Sequence, residues 1–361
     1  MICQMFRRLL AVAGILLFLA TGNASAAFTN MYVFGDSLSD SGNAKAQNLL
    51  TPYVPGITES PRPGTNVIGG PGYYLGRVTN GLNYADVLAQ SLGLSAEASL
   101  NGGTNYAYGG ARTSYHIYNF ALIPGAQPNP GFMGMTQQVS RYLSDHGGLA
   151  DPDALYVVFG GVNNLQDMLA NAPFRLSMAQ TITDLRQMLI ALHGAGAQHF
   201  LVPNAPDLSL TPRVRANGAA AVAGGHALSL VFNGALDAML NGLDAQVGYD
   251  IDKLDTFSLF TDVFNNPAKF GFSNVTTPCN LGADDLFFTR LGTICGDVGE
   301  RLFWDSIHPT NEAHAILGQA ALLAIPEPQT LLLVTIALAT LVRTSRRAPA
   351  ELQGSHSISV G

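Results

Sequence analysis

Along this chain, short unbroken apolar runs alternate with longer stretches in which apolar residues recur every three or four positions. Met31-Tyr32-Val33-Phe34 is one such run, stopped by Gly35. Ala154–Phe159 (Ala-Leu-Tyr-Val-Val-Phe) is a second, ended by Gly160-Gly161, and His199–Val202 is a third, reached through Gly194 and Gly196. Runs of this length, rich in β-branched and aromatic side chains, predict strands buried on both faces. Between them, Asn83–Leu92 and Leu176–Leu192 carry the helical period, and the first stops before Gly93, a natural C-terminal cap. Arg213–Gln246 is rich in Ala and Leu and predicts a further helix, although Gly218, Gly224, Gly225 and Gly234 each cost it helical propensity. Asn311–Ala324 predicts a closing helix with Thr310 as its N-cap. Buried strands alternating with helices imply a parallel sheet covered on both faces, an α/β sandwich. In such sheets, sites form at the C-terminal ends of the strands.

The two ends of the chain follow a different pattern. Arg7 and Arg8 precede the unbroken apolar run Leu9–Ala20, and Ala24-Ser25-Ala26 offers small residues for cleavage. This layout predicts a secretory signal peptide over residues 1–26. At the other end, Ile325-Pro326-Glu327-Pro328 is followed by the apolar stretch Thr330–Val342 and then by Arg343, Arg346 and Arg347. That stretch is shorter than the ~20 residues a relaxed spanning helix needs. Residues 326–347 therefore read as a processing signal, and 348–361 as a polar tail. The segment resembles the PEP-CTERM sorting tail of Gram-negative bacteria. The resemblance implies an exosortase-type processing enzyme as a partner and transient membrane contact through the tail. It also implies export to the cell envelope, the outer surface or the medium. An ordinary C-terminal membrane anchor is the other reading; both put residues 27–325 outside the cytoplasm.

Composition narrows the class further. Residues 27–325 suffice for one large domain with its own core. Five of the 18 basic residues lie in the two ends, so the central domain is more acidic than the whole-chain charge of −7. Lys45, Lys253 and Lys269 are the only lysines and no basic patch is visible, which argues against a nucleic-acid partner. Cys3 leaves with the signal peptide, and Cys279 with Cys295 remains. An even pair in an exported protein reads as a disulfide, with two free thiols as the alternative. No further Cys or His pair stands at metal-ligand spacing, and no phosphate-cradling loop or cofactor fingerprint is present, so no metal or cofactor is expected.

Candidate chemistry lies at the predicted strand ends. The first strand runs into Gly35-Asp36-Ser37-Leu38-Ser39-Asp40. A serine at a strand-to-helix turn projects its hydroxyl beyond the sheet, with a helix N-terminus beside it to favour negative charge. Near the far end, Trp304-Asp305-Ser306-Ile307-His308-Pro309 sets a carboxylate three residues before a histidine. At i and i+3, Asp305 can accept the Nδ1–H of His308 and leave Nε2 free to take a proton from a serine. Two other segments offer donors for an oxyanion. Asn105–Ala111 supplies backbone N–H groups, best at Gly109, and Gly160-Gly161-Val162-Asn163-Asn164 supplies the Asn163 amide. Each segment alone is also compatible with a cap or a turn.

Together and in this order, Ser37, Gly109, Asn163 and the Asp305/His308 pair resemble the GDSL (SGNH) hydrolase family. Gly35–Asn43 (G-D-S-L-S-D-S-G-N) is similar to its extended start, and Gly76–Gly81 to its G-R-x-[ST]-N-G stretch. Val202–Asp207 and Phe264–Phe272 fit further family segments, so the likeness spans nearly all of residues 30–325. It implies a three-layer, flavodoxin-like α/β/α fold and a cofactor-free carboxylic ester hydrolase. Ser37, Asp305 and His308 would be the catalytic triad, with Ser37, Gly109 and Asn163 as the oxyanion hole. The substrate would be an ester or acylated molecule, lipid or glycan. The alignment of the second segment leaves Gly109 and Gly110 both open, and Asn164 stands where many members have Asp. Two other readings stay open, a polysaccharide O-acetylesterase and an inactive surface-binding module on the same fold. Thr113–Met135, aperiodic and apolar with three prolines, is expected to wall an acyl pocket or to pack on the core.

Overall fold

The structure is a computed structural model, and it describes residues 28–50, 73–116, 132–281 and 293–326. The segments read as signal peptide and sorting tail lie outside the described residues, apart from Pro326. Four parallel strands form the central sheet in the order β1 (Met31–Gly35), β2 (Leu155–Phe159), β3 (His199–Pro203) and β4 (Asp250–Leu254). The first three fall where the apolar runs predict them.

Strand geometry sends alternate side chains to opposite faces. Tyr32, Phe34, Tyr156, Val158, Phe200 and Val202 enter one core, while Met31, Val33, Leu155, Val157, Phe159 and Leu201 enter the other. Along the chain the helices are α1 (Asn43–Leu50), α2 (Tyr84–Ser91), α3 (Met135–Asp145), α4 (Val162–Leu169) and α5 (Met178–Gly194). They continue with α6 (Pro212–Ala216), α7 (Ala219–Asp244), α8 (Thr256–Asn265) and α9 (Asn311–Ala324). The first core is closed by α3, α5 and α7, through residues such as Tyr142, Leu189 and Phe232. The second is closed by α2, α8 and α9, through Leu88, Phe260 and Leu317. The sandwich is therefore three-layered, as expected.

Several elements depart from the sequence reading, which names neither α4 nor α8. β4 escapes it because this edge strand reads Asp-Ile-Asp-Lys-Leu, and only Ile251 and Leu254 turn inward. Residues 213–246 are two helices rather than one, broken where Gly218 takes a φ of +85°. α3 emerges beyond the aperiodic segment, and its buried face includes Gln138, which no apolar period would mark.

The expected N-cap forms, with Thr310 accepting from the Ala313 N–H, and Gly93 takes a φ of +71° just beyond α2. Asn83 and Asp86 add a reciprocal capping box on α2 that the sequence reading did not name. Cys279 and Cys295 are joined by a disulfide. It anchors the short ribbon β5 (Asn280–Leu281) and β6 (Thr293–Ile294).

Candidate active site

Strand β1 ends at Gly35, and the position tolerates nothing larger. A Cβ there would lie 2.6 Å from Phe159 O and 2.8 Å from Ser39 Oγ. Both backbone groups of Gly35 are held by one buried side chain, the Gln138 amide. Its Oε1 accepts from the Gly35 N–H and its Nε2 donates to the Gly35 carbonyl, each at 2.9 Å. The chain then makes a tight turn in which Ser39 and Asp40 donate back to Asp36 O. Ser37 sits on this turn.

The helix beyond is not where the sequence suggests. α1 begins at Asn43, and Asp40 takes its first N–H groups, accepting from Gly42, Asn43 and Ala44 at 2.7, 2.7 and 3.1 Å. No helix N-terminus is left to serve Ser37, and the N–H groups near it belong to the turn.

Asp305 and His308 reach Ser37 from the other end of the chain. His308 Nε2 lies 2.8 Å from Ser37 Oγ, and His308 Nδ1 lies 2.7 Å from Asp305 Oδ2. Asp305 is fully buried and also accepts from the backbone N–H groups of Ile307 and His308 and from the Tyr73 hydroxyl at 2.7 Å. Burial alone would raise its pKa; the His308 charge and these hydrogen bonds outweigh burial and hold it below the usual carboxylate range. The loop itself is braced by Trp304 N–H donating to His308 O, and by Thr79 Oγ1 donating to Pro309 O at 2.8 Å. Thr79 belongs to the 76–81 stretch noted in the sequence, whose Arg77 pairs in bidentate fashion with Asp86.

The second segment requires a correction. The Gly109 N–H donates to Asp40 Oδ2 at 2.7 Å, so it is already committed to a carboxylate and is removed as an oxyanion donor. Its neighbour takes the left-handed conformation that favours glycine, with φ +88° at Gly110. The N–H groups of Gly110 and Ser37 make no hydrogen bond among the described residues. Asn163 stands in the first turn of α4 and donates one amide hydrogen to Ala111 O at 2.9 Å, which orients the group and leaves its second N–H available. Asn164 is buried and joins the same two segments, accepting from the Thr113 N–H.

Ser37, Asn163 and His308 line one cleft. Much of its wall is apolar, with Leu38, Phe159, Leu208, Leu210, Phe260 and Leu317. Asp36 also borders it; burial pushes this carboxyl up to about 6, against the Leu38 N–H, His308 and Arg112. The 113–135 stretch was expected either to wall the acyl pocket or to pack on the core. Residues 117–131 lie outside the described residues, and the flanking His116 and Phe132 are buried with their rings 4.9 Å apart. Neither lines the cleft. The apolar wall among the described residues comes from the turn after β1, the end of β2, the segment that follows β3, and α8 and α9.

The sequence profile of the GDSL-like Lipase/Acylhydrolase family matches residues 31–321. The chain belongs to this family. As a GDSL hydrolase it is an ester hydrolase, with relatives in plants and bacteria. It is 30% identical to a GDSL esterase/lipase of Arabidopsis thaliana, over 81% of this chain and 85% of the relative. It is 26% identical to Lipase 1 of Photorhabdus luminescens over 88% of this chain, which spans 53% of that longer protein. Among solved structures, an acetylxylan esterase from Geobacillus stearothermophilus aligns with a TM-score of 0.42 at 14% identity, over 82% of this chain and 93% of its own. Among the described residues of this GDSL hydrolase no group of three His, Cys, Asp or Glu side chains could hold a metal ion.

Proposed function

We propose that the enzyme hydrolyses carboxylic esters through an acyl-enzyme formed on Ser37. The observation that carries this reading is the continuous hydrogen-bond chain from Ser37 Oγ through His308 to buried Asp305, opening on a cleft. Ser37 attacks the ester carbonyl while His308 Nε2 takes its proton and passes it to the leaving alcohol. Asp305 holds the Nδ1–H tautomer and stabilises the imidazolium that forms. The carbonyl oxygen becomes an oxyanion, and the N–H groups of Ser37 and Gly110 with the Asn163 amide receive it. Water, deprotonated by the same histidine, then releases the acid.

The apolar wall supports an acyl group of medium length over acetate, because each buried CH₂ contributes ~0.8 kcal/mol. The same wall weighs against a polysaccharide O-acetylesterase, whose acyl group would leave it unfilled. The enzyme acts outside the cytoplasm in this reading. Support comes from the signal-peptide pattern, the PEP-CTERM-like tail with its exosortase-type processing, and the disulfide.

Ser37→Ala tests the mechanism. It should abolish hydrolysis of p-nitrophenyl esters and labelling by a fluorophosphonate while leaving the circular dichroism spectrum unchanged. Retained labelling at another residue with retained turnover would overturn it. In the native enzyme, octanoate should exceed acetate in kcat/KM, and the reverse order would remove the acyl-pocket assignment.

A further inference from the structure

The peptide unit between Gly109 and Gly110 is flanked by glycine on both sides, so no Cβ restricts its rotation about ψ of Gly109 and φ of Gly110. A flip of that plane would exchange the Gly110 N–H for the Gly109 carbonyl. An oxyanion would then meet a carbonyl dipole of the wrong sign. Such a site needs something to hold the peptide in one orientation before substrate arrives.

His116 is placed to do this. It is fully buried, and its Nε2 lies 2.6 Å from Gly109 O. A carbonyl oxygen can only accept, so Nε2 carries the proton and donates. We propose that His116 is a positioning residue of the oxyanion hole, locking the Gly109–Gly110 peptide so that the Gly110 N–H stays turned to the reacting carbonyl. The inference rests on the reading of Gly110 as an oxyanion donor.

The geometry of the amide carries the argument. Among the described residues there are no cis peptide bonds, and in a trans peptide C=O and N–H point in opposite directions. Fixing Gly109 O against His116 therefore aims the Gly110 N–H away from His116. Flanking bonds hold the unit at both ends, the Gly109 N–H on Asp40 and Arg112 Nη1 on Gly110 O at 2.8 Å. Neither bond is made by the central plane itself, and the imidazole restrains it through the Gly109 carbonyl. Donation into the carbonyl also polarises the amide and strengthens its N–H as a donor. Burial pushes the His116 pKa down to about 3, so the ring stays neutral and keeps one tautomer at working pH.

Two kinds of substitution separate this role from packing. His116→Gln retains an N–H donor, whereas His116→Phe and His116→Met fill the space beside Phe132 without one. The two apolar variants should lose about tenfold to a hundredfold in kcat on p-nitrophenyl butyrate with KM changed less than twofold. Their Ki for a boronic acid that forms a tetrahedral adduct on Ser37 should rise by the same factor as kcat/KM falls. His116→Gln should recover most of both. A kcat within twofold of wild type in a folded Phe or Met variant overturns the proposal, as does an equal loss in the Gln variant. If neither apolar variant folds, the Gln variant decides alone, because kcat and Ki near wild type are then required. Failure of the proposed mechanism looks different, because it would appear as activity surviving Ser37→Ala.

Discussion

Reducing the Cys279–Cys295 bond should lower the melting temperature by about 5 °C and loosen the chain that carries Asp305. The two cysteines are separated by 16 residues. Closing a loop of that length removes about 3 kcal/mol of conformational entropy from the unfolded chain at 25 °C. A domain of roughly 300 residues has an unfolding entropy near 0.6 kcal/mol/K at its midpoint, so this loss corresponds to about 5 °C. The crosslink also has a local task. The Cys279 N–H donates to Phe303 O at 2.9 Å, the Asn280 N–H to Trp304 O at 2.6 Å, and the Cys295 N–H to Cys279 O at 2.9 Å. The disulfide ribbon is thus tied to the two residues just before Asp305. Reduction, unlike substitution, keeps every heavy atom and opens no cavity at buried Cys279. Calorimetry with and without a phosphine reductant measures the shift, and hydrogen exchange should show faster exchange at the amides of Cys279, Asn280 and Cys295. Two alkylatable thiols in the unreduced protein would refute the pairing. A melting temperature unchanged on complete reduction would refute the energetic argument.

Two further outcomes follow from the site. Asn163→Ala should lower kcat by about 10²–10³ with little change in KM, since its amide acts most strongly on the developing oxyanion; steady-state kinetics yielding a KM effect alone would reassign it to substrate binding. Asp36 is a carboxyl whose folded pKa of about 6 exceeds the ordinary 3.8. It therefore costs the folded state nothing below about pH 4 and on the order of 3 kcal/mol once pH has risen past both values. Asp36→Asn keeps the acceptor for the Leu38 N–H, so its melting temperature relative to wild type should climb between pH 4 and pH 7.5. A flat difference across that range would refute the assignment.

The first three strands, the helices α2, α5 and α9, and the Ser37, Asp305 and His308 set were legible in the sequence because their signals are local. A buried strand needs only a run of apolar side chains, and a cap needs one polar residue beside a helical period. Asp305 and His308 are legible for the same reason, since three residues of separation put both on one loop. What the sequence left open depends on partners far along the chain. Gly109 and Gly110 look alike until Asp40, 69 residues away, claims the N–H of one of them. Gln138 bonds Gly35 across 103 residues, and Tyr73 bonds Asp305 across 232. No periodicity marks either side chain, because a buried polar residue is placed by the one partner that satisfies it. His116 offered no partner in the sequence; its partner is a backbone carbonyl, which carries no side-chain signature. The cleft wall is the same case. Leu208, Phe260 and Leu317 look like ordinary core residues on separate elements, and packing around the sheet edge alone brings them to one surface.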